Sequence, residues 1–208
     1  MAAVWFFLGY AGAQSPPKFM GRQVSIIEPE RTEDGFPKGP AAVCLEGPPQ
    51  RQCYTAPKDF GNNPTVTAVQ LRKELPALFF SAATGGVSGS EIHFALLRPG
   101  TGKDLEDLFV VASVSNQNQH AFWNEPAISD KPIFLVADYA VGSDEAHYGP
   151  HRYIISAYFP NRLLNDGLYL LEDRYMTIRL YDLQATADIL GSEKQEILRR
   201  LRRVVSAR

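Results

Sequence analysis

The chain has 208 residues and a formal net charge of -2 at pH 7, with 45% apolar and 21% charged residues. This balance supports a packed globular domain and excludes collagen, a coiled coil and a polytopic membrane protein. It also excludes a global cationic field, so nucleic-acid binding would require a local basic patch.

The amino terminus has the character of a secretory signal peptide. Residues 1–13, MAAVWFFLGYAGA, are apolar and end in a small-x-small sequence. The run is shorter than the roughly 20 residues of a transmembrane helix. It lacks a preceding Lys or Arg, so a hydrophobic strand packed on the domain is the alternative. We predict a signal peptide, a secreted or periplasmic location, and a Pro-rich arm over residues 14–40, which carry five prolines.

Two cysteines, Cys44 and Cys53, flank the turn at residues 47–50. Folding the segment as a hairpin about this turn places the two side chains opposite one another. Directly opposed residues lie about 4.5 Å apart at Cα, which a disulfide tolerates. We therefore predict a disulfide, which agrees with export. Two buried free thiols are the alternative, and a metal site is disfavoured because no other Cys or His lies close by.

From residue 41 onward, short β-rich runs alternate with clusters of Gly, Pro and Asn. This spacing predicts a mainly β fold, an antiparallel β-sandwich or barrel-like domain over residues 41–183, followed by a C-terminal α-helix. The predicted strands are 41–46, 51–56, 65–72, 77–83, 91–98, 107–115, 120–123, 132–141, 152–159, 167–172 and 174–182.

Two of these strands show which faces they bury. The run 108–114 is apolar on both faces, which predicts a central strand covered on both sides. In the strand 174–182, apolar and polar residues alternate, which predicts one core face and one amphipathic face. The predicted core face consists of Met176, Ile178 and Leu180, and the opposite face of Tyr175, Thr177, Arg179 and Tyr181.

Residues 184–208 predict a helical segment that packs on the domain or extends from it. Ser192 is the expected N-cap, with Gln195 completing a capping box. Apolar residues follow at helical spacing and form one face of the helix. The other face is basic, with Arg199, Arg200, Arg202 and Arg203. A cationic helix of this kind binds anionic lipid or nucleic acid, or its arginines simply cover the outer face, which we favour.

One segment resembles a metal-ligand set in composition. His147 and His151 lie near Asp144 and Glu145, but Gly149-Pro150 intervenes, so the two histidines cannot share a helix face. Any convergence would come from a loop. A polar turn whose side chains pack locally is the alternative.

Exposed aromatic residues beside amides and arginines are typical of glycan and peptide sites. The candidates are Trp123, Tyr148, Tyr175, Arg179 and Tyr181. Burial of Trp123 at an edge strand and cross-strand pairing of the tyrosines are the alternatives. Asp138, on an apolar strand face, is expected to accept hydrogen bonds from a neighbouring loop, and His93 to be an ordinary half-buried histidine.

Catalytic motifs are missing from the sequence, including the nucleophile elbow, the P-loop, H-E-x-x-H, C-x-x-C and the dinucleotide fingerprint. We therefore predict no catalytic residue and no cofactor. The leading hypothesis is a non-catalytic binding domain whose partner is a protein, glycan or small molecule. The alternatives are a loop-sited enzyme using His147 and His151, and a membrane-apposed component using the Arg-rich helix.

Overall fold

The structure is a computed structural model that describes residues 18–72, 74–85, 90–116, 119–140, 149–161, 167–182 and 188–206. The expected signal peptide, at residues 1–13, lies outside these ranges. Within the described ranges, three antiparallel sheets and two helices follow one another along the chain. A mainly β, sandwich-like fold is therefore confirmed, and the sheets are not closed into a barrel.

Sheet I contains β1 (Lys18–Phe19), β2 (Arg22–Ile27), β3 (Ala42–Glu46) and β4 (Gln52–Thr55), in that order. Its first two strands lie in the segment that the sequence predicted as a Pro-rich arm. Val24 is buried and pairs with Leu45 of β3, so β2 is part of the packed sheet.

Sheet II contains β5 (Phe60–Arg72), β6 (Leu75–Thr84), β7 (Ile92–Pro99) and β8 (Leu105–Asp107). A further strand, β9 (Ser113–Ser115), pairs with the first half of β7. Sheet III contains β10 (Gln119–Trp123), β11 (Ile133–Tyr139), β12 (Tyr153–Pro160) and β13 (Tyr169–Met176). The helices are α1 (Ile189–Ser192) and α2 (Lys194–Ser206).

These elements stack in layers in their chain order, with an apolar core between each pair of layers. The core between sheets I and II contains Val43, Leu45, Phe80 and Leu97, among others. Successive residues of β6 and β7 point to opposite faces of sheet II, so these strands also contribute to the core between sheets II and III. That core includes residues of β11 to β13 as well; among its members are Phe79, Phe94, Leu96, Phe134, Tyr158 and Tyr169. The third core joins sheet III to the helices through Leu135, Ile155, Phe159, Ile197 and Leu201, among others.

The predicted hairpin disulfide is confirmed. Cys44 pairs with Cys53 across β3 and β4, and their Cα atoms lie 4.1 Å apart. Beyond them, Glu46 and Arg51 form an ion pair at 3.1 Å. The expected pairing about the turn is therefore the observed register.

The predicted central strand over 107–115 is wrong. β8 ends at Asp107, and its half-buried carboxylate accepts hydrogen bonds from the backbone N–H groups of Leu96 and Phe109, each at 3.0 Å. The chain then leaves sheet II, and the N–H of Val110 donates to the carbonyl of Tyr169 in sheet III. Leu108 and Phe109 are buried at this crossing, whereas Val110 and Val111 are exposed.

The helix is confirmed, but its predicted N-cap is wrong. Asp188 caps α1 by accepting a hydrogen bond from the N–H of Gly191 at 2.8 Å. Ser192 is the last residue of α1, and its hydroxyl donates to the Asp188 carbonyl at 2.8 Å. α2 buries Ile197 and Leu201 against sheet III, so the C-terminal segment packs on its own domain.

The aromatic centre of the second core gives a test of the layered packing. Phe134 is fully buried, and its ring lies 4.9 to 5.9 Å from those of Phe79, Phe94, Phe109, Phe122 and Tyr158, among others. Phe134→Ala should lower the free energy of unfolding by about 3–5 kcal/mol, because it leaves a cavity between two sheets. Urea unfolding measures this loss. The matched variant Phe36→Ala, at an exposed position, should lose less than about 1 kcal/mol.

The half-buried Asp107 and the buried His93 should make the free energy of unfolding depend on pH in opposite directions. Burial raises the pKa of Asp107 from 3.8 to about 6, and burial lowers the pKa of His93 from 6.5 to about 4. As pH rises from 4 to 6.5, the contribution of Asp107 to the free energy of unfolding therefore falls, whereas the contribution of His93 increases. Asp107→Asn should remove the fall contributed by Asp107, and His93→Gln should remove the increase contributed by His93, which is up to about 3 kcal/mol. Urea unfolding across this range tests the assignment, and identical pH profiles for both variants and the wild type would contradict it.

Candidate functional site

At the end of β13 and just after it, the buried and exposed faces are opposite to those that the sequence predicted. Met176, Ile178 and Leu180 are 51%, 96% and 54% exposed, whereas Thr177 and Tyr181 are buried and Tyr175 is half-buried. The predicted core face is thus the solvent face, and that prediction is wrong. We call Met176, Ile178 and Leu180 the apolar stripe.

Hydrogen bonds to the neighbouring strand explain the reversal. The Thr177 N–H donates to the Tyr153 carbonyl at 2.7 Å, and the Tyr153 N–H donates to the Thr177 hydroxyl at 2.9 Å. The same hydroxyl donates to the Arg179 carbonyl at 3.0 Å, which bends the chain after β13. Further on, His151 and Tyr181 exchange backbone hydrogen bonds at 2.8 and 2.9 Å. Thr177 is therefore held inward, and Ile178 is turned outward.

A buried carboxylate ties this segment to the helices. Glu193, between α1 and α2, accepts a hydrogen bond from the Tyr175 hydroxyl at 3.1 Å and another from the Tyr181 hydroxyl. Burial, with Glu193 beside it, raises the pKa of Tyr181 to about 12 and raises that of Tyr175 as well. Both phenols therefore stay protonated and act as donors at neutral pH.

Tyr175 and Tyr181 were predicted as an exposed binding face with Arg179. Of these three, only Arg179 is exposed, and its guanidinium lies 5.4 Å from the centre of the Tyr181 ring. The Tyr175 ring is covered by Arg200, whose guanidinium lies 4.5 Å from its centre. Because both rings are engaged within the protein, the exposed features here are the apolar stripe and the arginines around it.

The arginines of α2 fall into two groups. Arg200 makes a two-pronged ion pair with Asp173 of β13, at 2.7 and 2.8 Å, and Arg199 pairs with Glu196 on the helix itself. Arg202 and Arg203 are exposed. Binding of lipid or nucleic acid by this basic face stays a prediction.

Of the residues in the metal hypothesis, the structure describes His151. His151 is buried, and its ring packs against that of Tyr139 with centres 4.7 Å apart. His147, Asp144, Glu145 and the candidate Tyr148 lie outside the described residues. Within the described ranges, no group of three His, Cys, Asp or Glu side chains is placed to hold a metal ion.

Trp123 lies half-buried beside a recess between β10 and the helices. Lys194 places its ammonium 5.4 Å from the centre of the indole, and Leu190 and Gly191 line the same recess. The Gln119 side-chain oxygen accepts a hydrogen bond from the Ile189 N–H at 3.0 Å. This amide therefore helps to position α1.

Asp138 and His93 have structural partners. The Asp138 carboxylate accepts a hydrogen bond from the Asn116 N–H at 2.8 Å, as predicted, and burial raises its pKa. The His93 imidazole is more buried than expected, and its Nε2 lies 2.7 Å from the Tyr54 hydroxyl. Both groups join neighbouring segments of the core.

A hydroxyl-lined groove was not anticipated from the sequence. It lies on the side of sheet II that is turned toward sheet III, where the hydroxyls of Thr65 and Ser81 are 2.7 Å apart. Its other lining residues include Thr67, Phe79, Ile92 and His120. The alternation of hydroxyl and apolar residues in β5 is the sequence signal that marks it.

Comparison with known proteins returned no matching family model, curated protein or solved structure. Neither described helix combines the length and the apolar character needed to cross a bilayer.

The Glu193 contacts can be tested by a matched pair of helix variants. Glu193→Ala should lower the free energy of unfolding by about 2–3 kcal/mol, because it leaves the buried Tyr181 hydroxyl and the half-buried Tyr175 hydroxyl without their charged acceptor. The control, Glu196→Ala, removes an exposed pair with Arg199 and should cost less than about 1 kcal/mol. Equal losses in urea unfolding would contradict the role given to Glu193.

Proposed function

We propose that this protein is a non-catalytic binding protein that works outside the cytoplasm and engages its partner through the apolar stripe. The observation that carries the proposal is the exposure of three large apolar side chains in a segment whose alternate side chains are anchored in the protein. Adjacent exposed apolar residues are typical of interaction surfaces, whereas isolated ones are common everywhere.

The backing of the stripe supports this function. Thr177, Tyr181 and Glu193 fix the segment from the inside through hydrogen bonds, so its apolar side chains are presented in one arrangement. A surface that is ordered before binding loses little conformational entropy when a partner docks. The disulfide between Cys44 and Cys53 supports action in an oxidising compartment.

The enzyme hypothesis has less support. It depends on His147 and His151, and His151 is buried against Tyr139 and paired through its backbone with Tyr181. These contacts give His151 a packing role.

Site-specific photo-crosslinking in cells that produce the protein tests the proposal. A benzoylphenylalanine at position 178 should give discrete covalent adducts with a partner, because Ile178 is almost fully exposed. The control position is Val110, which is 53% exposed and lies beside Tyr169, at the opposite end of β13. It should give no such adducts. The same pattern of adducts at both positions, or none at position 178, would refute binding through the stripe.

A further inference from the structure

The shape of the apolar stripe restricts what it can bind. Ile178 is 96% exposed, with Met176 and Leu180 on either side at about half exposure, so the stripe projects from the surface. The recesses described above are lined by residues of other segments. A small molecule needs a concave site that surrounds most of its surface, whereas a projection suits a soft, extended target.

The charges around the stripe restrict the target further. Arg174 is exposed and precedes Met176 by two residues in β13, so both side chains leave the same face of sheet III. Arg179 lies within the stripe and is exposed. On the other side of β13, Arg200 is paired with Asp173, and Arg199 is paired with Glu196. Arg174 and Arg179 therefore supply the positive charge beside the projection.

We propose that the stripe inserts into the headgroup region of a bilayer that contains anionic phospholipids. This inference rests on the proposed binding function and names its target. Apolar side chains at the tip enter the boundary between headgroups and acyl chains, and arginines beside them remain at the level of the phosphates. The long arginine side chain suits this position because its stem is apolar and its end is charged.

The anchoring of the segment gives the insertion a defined geometry. Thr177 and Tyr181 hold the backbone on both sides of Ile178 through hydrogen bonds to Tyr153 and His151. The segment therefore meets the bilayer already ordered, and sheet III behind it fixes the orientation of the whole domain. Binding of this kind is reversible, since three side chains are far fewer than a spanning helix provides.

Vesicle co-sedimentation with the purified full chain tests the proposal. The probes are large unilamellar vesicles of equal parts phosphatidylglycerol and phosphatidylcholine, compared with vesicles of phosphatidylcholine alone. We expect binding to the mixed vesicles, at least about tenfold weaker binding to the neutral ones, and weakening of the former in 0.5 M salt, which is roughly the concentration at which surface charges are screened within a few ångströms.

Two variants with the same change in charge distinguish membrane binding by the apolar stripe from a general effect of an added negative charge. Ile178→Asp should weaken binding to the mixed vesicles by at least about tenfold, since it places a carboxylate at the tip. Val110→Asp should leave binding within about twofold of the wild type. Both positions are exposed, so circular dichroism and thermal unfolding should show that both variants fold normally.

The possible results separate this inference from the proposed function. Equal weakening by the two variants, or no binding of the wild type to mixed vesicles, would overturn membrane insertion. If the crosslinker at position 178 then captured a protein, the binding function would stand with a protein partner. If it captured nothing, both proposals would fail.

Discussion

Apolar side chains on both faces of sheets II and III are the constraint on which the fold depends. Along β6, Phe79 faces sheet III and Phe80 faces sheet I; along β11, Phe134 faces sheet II and Leu135 faces the helices. Each of these sheets must therefore be covered twice. Sheet I and α2 supply the outer covers, so the apolar face of α2 is already used within the domain. Only its basic face is left for solvent or for a partner.

Local sequence signals predicted the parts of the fold that depend on neighbouring residues. The disulfide hairpin closes over ten residues, and its register follows from the turn between Cys44 and Cys53. The C-terminal helix follows from its apolar period. The number of layers could not be predicted in this way, because it depends on contacts between strands far apart in the chain. The continuous apolar runs of β6, β7 and β11 were the available signal that central sheets exist.

Two errors in strand prediction, at residues 107–115 and 174–182, share a physical origin. In both segments an apolar pattern was interpreted without the polar group that competes for the backbone. The Asp107 carboxylate accepts two backbone hydrogen bonds and ends β8. The Thr177 hydroxyl accepts a hydrogen bond from the N–H of Tyr153 in β12 and donates one to the Arg179 carbonyl in the bend that follows β13. In the segment after Arg174, the sequence prediction reversed the buried and exposed faces. Glu193, 12 and 18 residues beyond the two tyrosines, could not be linked to them from sequence alone, although a buried tyrosine hydroxyl needs an acceptor.

The chain is charged asymmetrically, and the reversed segment lies beside its basic end. Residues 192–208 carry six Lys or Arg against two Glu, and the rest of the chain is acidic. Because Arg200 is bound to Asp173 and covers Tyr175, the basic helix lies against β13, the strand that ends in the apolar stripe. An anionic surface would attract this edge and repel the acidic body, so electrostatics would orient the domain before any apolar contact formed. In the proposed binding, long-range charge and short-range apolar contact would act at the same edge of the protein, where hydrogen bonds of Thr177 and Glu193 fix the backbone.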